Sequence, residues 1–324
     1  PPAPPPPPAD GPLTWRTAAR YGWLDTVGTR RRRALRRATL ALALVALAVA
    51  FGSPWAVPRG LAVLLVDRVN LPRFATPTLS HRELTFRSGD VELSGWLFEP
   101  AGPPRGLVVH LHGRMYTRVG GIATADALVP RGYAVLTYDQ RAHGASGGEH
   151  CTYGLLEKED LARAIDAVGI SPVYVVGHSL GAAVALQAAA EDHRIRAVVA
   201  ASSYADLRTT IVERAKDYPL VTDEEAIAAI GLAEVKAGFH ADDVSPIHAA
   251  ARVDVPVLLV HGRLDTSTPP EHSERLLAAL HGPKRLYVVE GAGHTDLLDS
   301  PAAPVWGEIA RFLDAQSSAA ERRP

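Results

Sequence analysis

Residues 174–189 read YVVGHSLGAAVALQAA. The first residues, Tyr174 to Val176, have the β-branched and aromatic character of a buried strand, whereas the alanine-rich second half suits a helix. Between them, Gly177-His178-Ser179-Leu180-Gly181 sets a serine between two glycines. A strand that enters a helix through G-x-S-x-G must turn sharply, lifting the serine to the helix N-terminus, where the helix dipole favours developing negative charge. Five residues alone also fit a plain packing turn. An alcohol becomes a nucleophile only beside a base, so the rest of the chain has to supply one.

Outward from this stretch, short apolar runs recur at 107–111, 134–138, 197–201, 257–260 and 286–289, after a hairpin-like pair at 83–88 and 91–99. Such runs suit strands covered on both faces. Helix-like segments at 122–129, 155–168, 179–190, 270–280 and 305–313 separate most of them. The alternation predicts an α/β fold: a mostly parallel eight-stranded sheet with helices on both faces. The connection 204–252 is too long for a simple crossover and contains helix-like 207–216 and 224–237. It reads as a small helical cap over the strand ends, whose apolar Ile211, Val212, Leu220, Ile227 and Ile230 should shape an acyl pocket.

The strand ends supply the missing partners. Strand 257–260 runs into HGRLD, placing Asp265 just beyond its C-terminal end. Strand 286–289 runs into EGAGH, placing His294 in a glycine-rich loop at the same edge. Parallel strands bring Ser179, Asp265 and His294 to one rim, where open α/β sheets bind ligands. Asp206, Asp296 and Asp299 are alternative acids. The loop HLHGRM after 107–111 offers the amide N–H of Arg114 as one oxyanion donor, with that of Leu180 as the second.

Other polar residues near strand ends have structural readings. His110 and His112 lack an identifiable third ligand, so no metal is expected, and a structural role below the oxyanion loop suits them better. Asp139 and Arg141 read as an ion pair bracing their loop. Cys151, the single cysteine, reads as a packed small residue and excludes an intrachain disulfide.

Charge is unevenly distributed. Ten arginines against three aspartates lie within residues 1–72; the whole 324-residue chain has a formal net charge of −1, so the remainder carries −8. An acidic globular part is a poor partner for nucleic acid. Residues 1–29 form a proline-rich tail suited to extended, solvated polyproline II. Next, six arginines (Arg30 to Arg33, Arg36, Arg37) precede an uncharged stretch, 38–58, whose strictly apolar part is 38–51. A second apolar piece spans 61–66. With its arginine block, 30–72 reads as a single-pass membrane segment and linker, with arginines in the cytoplasm and the globular domain outside it. A twin-arginine export signal is the competing reading. The globular domain is expected over 73–316, followed by a disordered tail, 317–324.

The motifs HLHGRM, DQRAHGASGG, GHSLG, HGRLD and GAGHTD, in that order, resemble the α/β-hydrolase superfamily over about residues 80–316. Within it the chain looks most like the serine-aminopeptidase/monoglyceride-lipase-like subset, which includes membrane-anchored bacterial members. That resemblance implies an α/β-hydrolase fold and a cofactor-free serine mechanism. The expected activity is cleavage of carboxylic esters, with lipid-like or medium-chain acyl groups favoured by the cap and anchor. The expected partners are a small acyl ester and the bilayer. A peptidase, acyltransferase or thioesterase would use the same triad, and a non-enzymatic membrane scaffold is the alternative of another class.

Overall fold

The computed structural model describes residues 55–69, 75–219, 221–300 and 303–321. The proline-rich tail and the apolar run 38–51 lie outside the described residues. Among the described residues no helix is long and apolar enough to cross a membrane.

Eight strands form one sheet: β1 (Arg82–Ser88), β2 (Val91–Phe98), β3 (Leu107–Leu111), β4 (Ala134–Tyr138), β5 (Val173–His178), β6 (Ile195–Ala201), β7 (Val257–Gly262) and β8 (Lys284–Val289). Their spatial order is β1-β2-β4-β3-β5-β6-β7-β8. Only β2 runs against the others: its pairings with β1 and β4 are antiparallel and every other pairing is parallel. Edge strand β1 alternates, burying Leu84, Phe86 and Ser88 while its other side chains face solvent. The central strands β3, β4 and β5 are buried at every position, which is why they read as unbroken apolar runs.

The helices between strands divide over the two faces. One face carries α3 (Glu157–Val168), α4 (Leu180–Ala189) and α8 (Glu271–Ala279); the other carries α2 (Ile122–Leu128) and α9 (Val305–Glu321). Every residue of α4 is buried. Its small side chains allow a helix in the middle of the domain to lie close to the sheet. The connection 204–252 folds as the cap, with α5 (Leu207–Ala215), α6 (Asp223–Ala237) and a short α7 (Pro246–Ala250) that the apolar pattern did not signal. Asp206 caps α5 by accepting from the Thr209 amide at 2.8 Å. Thr222 and Glu225 close a capping box at the start of α6, and Gly238, with φ 71°, ends that helix.

Two boundaries differ from the sequence expectation. The apolar piece 61–66 lies in α1 (Ala56–Val66), which packs along cap helix α6. The chain then pairs Asp67 with His150 and Val69 with His143. Thus 56–69 lie against the globular domain, earlier than the expected boundary at 73. Of the apolar piece 61–66, Ala62 and Val66 bury themselves against protein, while Val63 and Leu64 stay exposed. At the other end, α9 runs through Glu321 where a tail was expected from 317. Ser317 is buried, with its hydroxyl 2.9 Å from that of Tyr133 and 3.1 Å from that of Tyr174.

Candidate active site

Ser179 sits between β5 and α4 with φ 53° and ψ −113°, a backbone conformation that costs a non-glycine residue roughly 1–3 kcal/mol. The surrounding packing holds it there. A Cβ on Gly181 would lie 2.1 Å from the carbonyl oxygen of Leu111, and one on Gly177 would lie 2.3 Å from that of Gly181. The two glycines are therefore required by close backbone approach. The Ser179 amide donates to the carbonyl of Ala201 at the end of β6, at 2.8 Å.

His294 Nε2 lies 3.0 Å from Ser179 Oγ, and His294 Nδ1 lies 2.8 Å from Asp265 Oδ2. The other carboxylate oxygen of Asp265 accepts from the amides of Ser267 and Thr268, both at 2.9 Å. His261 Nε2 approaches Oδ2 at 3.2 Å. Burial pushes the Asp265 carboxyl up, but the hydrogen bonds from His261, His294 and the Thr268 amide outweigh it and hold the group well below the usual carboxylate range. The acid beside His294 is thus ionised, and β5, β7 and β8 bring the three side chains to one edge. Two of the alternative acids are engaged elsewhere: Asp206 caps α5 and Asp296 accepts from the Gly293 amide at 3.0 Å.

Across from His294, β3 leads into His112-Gly113-Arg114. A Cβ on Gly113 would meet Ser179 Cβ at 3.3 Å, so this loop passes directly over the serine. Met115 follows with φ 68°, which turns the chain away after Arg114. Among the described residues the amides of Arg114 and Leu180 donate to no other group. Two donors at the serine, one of them at a helix N-terminus, can receive an oxyanion.

A family profile described as alpha/beta hydrolase fold matches residues 106–234, and one described as TAP-like protein matches residues 237–321. The uncharacterized protein Rv2307c of Mycobacterium tuberculosis is 31% identical over 231 residues, which cover 69% of this chain and 75% of that protein. The chain belongs to the α/β-hydrolase superfamily. The uncharacterized protein YqkD of Bacillus subtilis is also similar, 26% identical over 71% of this chain and 78% of its own length. An esterase of Pyrococcus furiosus has the same fold, with a TM-score of 0.63 at 23% identity, covering 78% of this chain and 97% of its own.

Several residues around the hydrolase site have roles that sequence spacing did not assign. His178, next to the serine, places Nε2 2.6 Å from the carbonyl oxygen of His294. Burial, with His294 beside it, lowers its pKa to about 3, so the ring is neutral and donates through Nε2. His261, four residues before Asp265, is a further partner of the acid and is itself held by Ser273 and the Thr268 carbonyl. The i, i+4 spacing in HGRLD was its only visible signal.

His112 bears out the structural reading. Its Nδ1 lies 2.9 Å from the Gly113 carbonyl, and its Nε2 accepts from the Gln140 amide at 3.0 Å. No cluster of metal-ligating side chains occurs among the described residues. Asp139 and Arg141 do not pair with each other as the sequence suggested. Arg141 forms a two-pronged pair with Asp160, at 2.7 and 2.6 Å, while Asp139 accepts from the amides of Arg118 and Ala145. A carboxylate and a guanidinium two residues apart on a turning loop point to different neighbours. Cys151 is buried, and burial raises its thiol well above the ordinary range.

A cavity of about 250 Å³ opens beside Ser179 and is largely apolar. Leu207, Ile211, Tyr218, Ala226 and Ala229 of the cap line it. Of the expected pocket residues, Ile211 lies here; Val212, Ile227 and Ile230 instead line a separate outer cleft. Leu220 lies outside the described residues.

Proposed function

We propose that this α/β hydrolase cleaves carboxylic esters with apolar acyl groups through Ser179, His294 and Asp265. The observation that carries this reading is the continuous relay from Ser179 Oγ through both ring nitrogens of His294 to an ionised Asp265. In the proposed reaction His294 Nε2 takes the proton from Ser179 as its oxygen attacks the acyl carbonyl. Asp265 fixes the tautomer and stabilises the imidazolium that forms. The Arg114 and Leu180 amides bind the oxyanion. Collapse of the tetrahedral intermediate breaks the ester C–O bond, and His294 protonates the departing alcohol. Water, deprotonated by His294, then attacks the acyl-enzyme and restores Ser179.

A medium-chain acyl group suits the apolar cavity, which is slightly smaller than the ~300–1,000 Å³ of drug-sized ligand sites. The arginine-flanked run 38–51 supports attachment to a bilayer, with its arginines on the cytoplasmic side. The test is labelling with a fluorophosphonate probe, wild type beside Ser179→Ala. The wild type should label and the variant should not; an unlabelled wild type or a labelled variant removes Ser179 from its role.

A further inference from the structure

Helix α1 precedes the region matched by the family profiles, which begins at residue 106. It nevertheless reaches both the core and the site, each with a different face. Ala62 and Val66 are buried in the core, alongside Ile230 and Ala233 of α6. The buried side of α6 is Ala226, Ala229, Ile230 and Ala233, a stripe at i, i+3, i+4 and i+7 whose alanines let α1 approach closely. The next face of α1, Leu61, Leu64 and Leu65, lines the cavity beside Ser179.

The C-terminal end of α1 is held by the oxyanion loop. Arg114 Nε donates to the Leu65 carbonyl at 2.9 Å, and its Nη2 to those of Leu64 at 3.3 Å and Asp67 at 2.6 Å. Tyr153 adds a hydroxyl bond to the same Leu65 carbonyl at 2.7 Å. A cation there satisfies carbonyls that a helix end leaves without intrahelical partners, and it complements the helix dipole. The remaining prong, Nη1, lies 2.8 Å from His143 Nε2. Burial, with His112 and Arg114 nearby, lowers the pKa of His143 well below the ordinary value, so this ring accepts from the guanidinium. Arg114 has no carboxylate partner among the described residues.

We infer that α1 is part of the active site: Leu61 and Leu64 set the acyl-chain length, and the Arg114 side chain couples the docking of α1 to the position of its own oxyanion-binding amide. The substrate consequence rests on the esterase reading above. Arg114 thereby has two functions, with its amide facing the reacting carbonyl and its side chain acting as a positioning group. Loss of α1 from the cap would open the pocket wall and release the loop together.

The experiment compares full-length wild type with Leu61→Trp, Leu64→Ala, Arg114→Met and Arg114→Lys on p-nitrophenyl esters from acetate to laurate. Hydrophobic pockets discriminate by roughly 10–200-fold per methylene. Leu61→Trp should therefore lower kcat/KM at least about tenfold for the longest ester that wild type favours, while sparing acetate. Leu64→Ala should move the preference toward longer chains. Val63→Ala, on a half-exposed residue outside the cavity lining, serves as the control and should leave the profile unchanged. Arg114→Met should lower kcat on every ester, acetate included, with little change in KM, and Arg114→Lys should recover part of it. In parallel, thermal stabilisation by C4 to C12 fatty acids reads pocket length without requiring turnover. An unchanged chain-length profile for both leucine variants, by turnover or by stabilisation, overturns the assignment of α1. If wild type turns over no ester while the stabilisation profile still moves with the leucines, the esterase reading fails and α1 remains the pocket wall.

Discussion

The Nε2 of His178 lies 2.6 Å from the carbonyl oxygen of His294, 116 residues further along the chain. The residue beside the proposed nucleophile thus holds the backbone of the proposed base. Burial, followed by the proximity of His294, keeps His178 neutral, and a neutral ring with Nε2–H is the form that can donate. Its place on the elbow gives it no part in proton transfer, yet it fixes where His294 stands relative to Ser179.

His178→Phe keeps the ring and loses the donor. With His294 free to shift, kcat should fall roughly 10- to 100-fold, the range expected when a reacting group is displaced by about 1 Å. KM should change little, and fluorophosphonate labelling should slow without stopping. Steady-state kinetics with a short-chain ester check this; an unaltered kcat would leave His178 as packing alone.

Acid stability follows from the same histidine and from His110, whose Nδ1 meets the Thr124 hydroxyl at 2.8 Å. Both have pKa values lowered from 6.5 to about 3, by burial first and by neighbouring histidines second. Between pH 6.5 and 3 the unfolded chain binds protons at these sites that the folded chain refuses. Stability is therefore full above pH 6.5 and declines as pH falls toward 3, with a slope of up to ~1.4 kcal/mol per pH unit for each histidine. Urea unfolding at pH 7, 6 and 5 should show the decline, and His178→Phe should reduce its slope by about one proton.

Asp265→Asn tests the acid. An amide can hold the His294 ring in place yet favours the wrong tautomer, so kcat should drop about 10⁴-fold while the fold persists. The depressed carboxyl of Asp265 also contributes stability that is fully present above the ordinary carboxylate range and is lost progressively as pH falls below that range toward the depressed value. The asparagine variant should therefore unfold with a weaker pH dependence below about pH 4. Activity profiles and acid unfolding measured on one preparation give both readouts.

Much of this arrangement was legible in the chain. Ser179, Asp265 and His294 follow apolar strands, and because neighbouring strands are parallel, their ends fall on one edge without knowledge of tertiary packing. The roles that escaped notice are played through contacts whose partners are remote in sequence. His178 meets a carbonyl 116 residues away, and the side chain of Arg114 reaches a helix about 50 residues earlier. Helix α1 was misplaced for a different reason. A short apolar run reads alike whether lipid or protein covers it, and the alanine face of α6 that receives Ala62 and Val66 lies more than 150 residues further along the chain.

Gly181 provides a steric test of the elbow. Its substitution by alanine would put Cβ 2.1 Å from the Leu111 carbonyl oxygen, a backbone atom in a central strand that cannot turn aside. Relief requires β3 and α4 to separate, at an overpacking cost of typically 1–3 kcal/mol, or somewhat more here. Because β3 carries the oxyanion loop, the same shift should move the Arg114 amide. Gly181→Ala should thus melt at a lower temperature and label more slowly with the probe; full activity in a destabilised variant would separate the elbow's packing from its chemistry.

The Arg141–Asp160 pair distinguishes loop bracing from catalysis. Both side chains are buried, at 8% and 1% exposure, and joined by two bonds of 2.7 and 2.6 Å. Removing only the cation in Arg141→Met strands a buried carboxylate, a change that typically costs 3–5 kcal/mol. Burial already raises the pKa of Asp160 despite its partner, so without Arg141 the carboxyl should take up a proton more readily. The variant's stability deficit should then shrink on moving from pH 8 to pH 5. Arg141→Met with Asp160→Leu removes both charges and should recover most of the loss, because no buried charge is then left unpaired and only the Ser88 hydroxyl loses its bond to Asp160. Ester turnover by that double variant should stay near the wild-type level, since neither side chain reaches Ser179 or His294. Chemical denaturation and initial rates on the single and double variants measure this directly; a double variant as stable as wild type but inactive would give Arg141 or Asp160 a catalytic part.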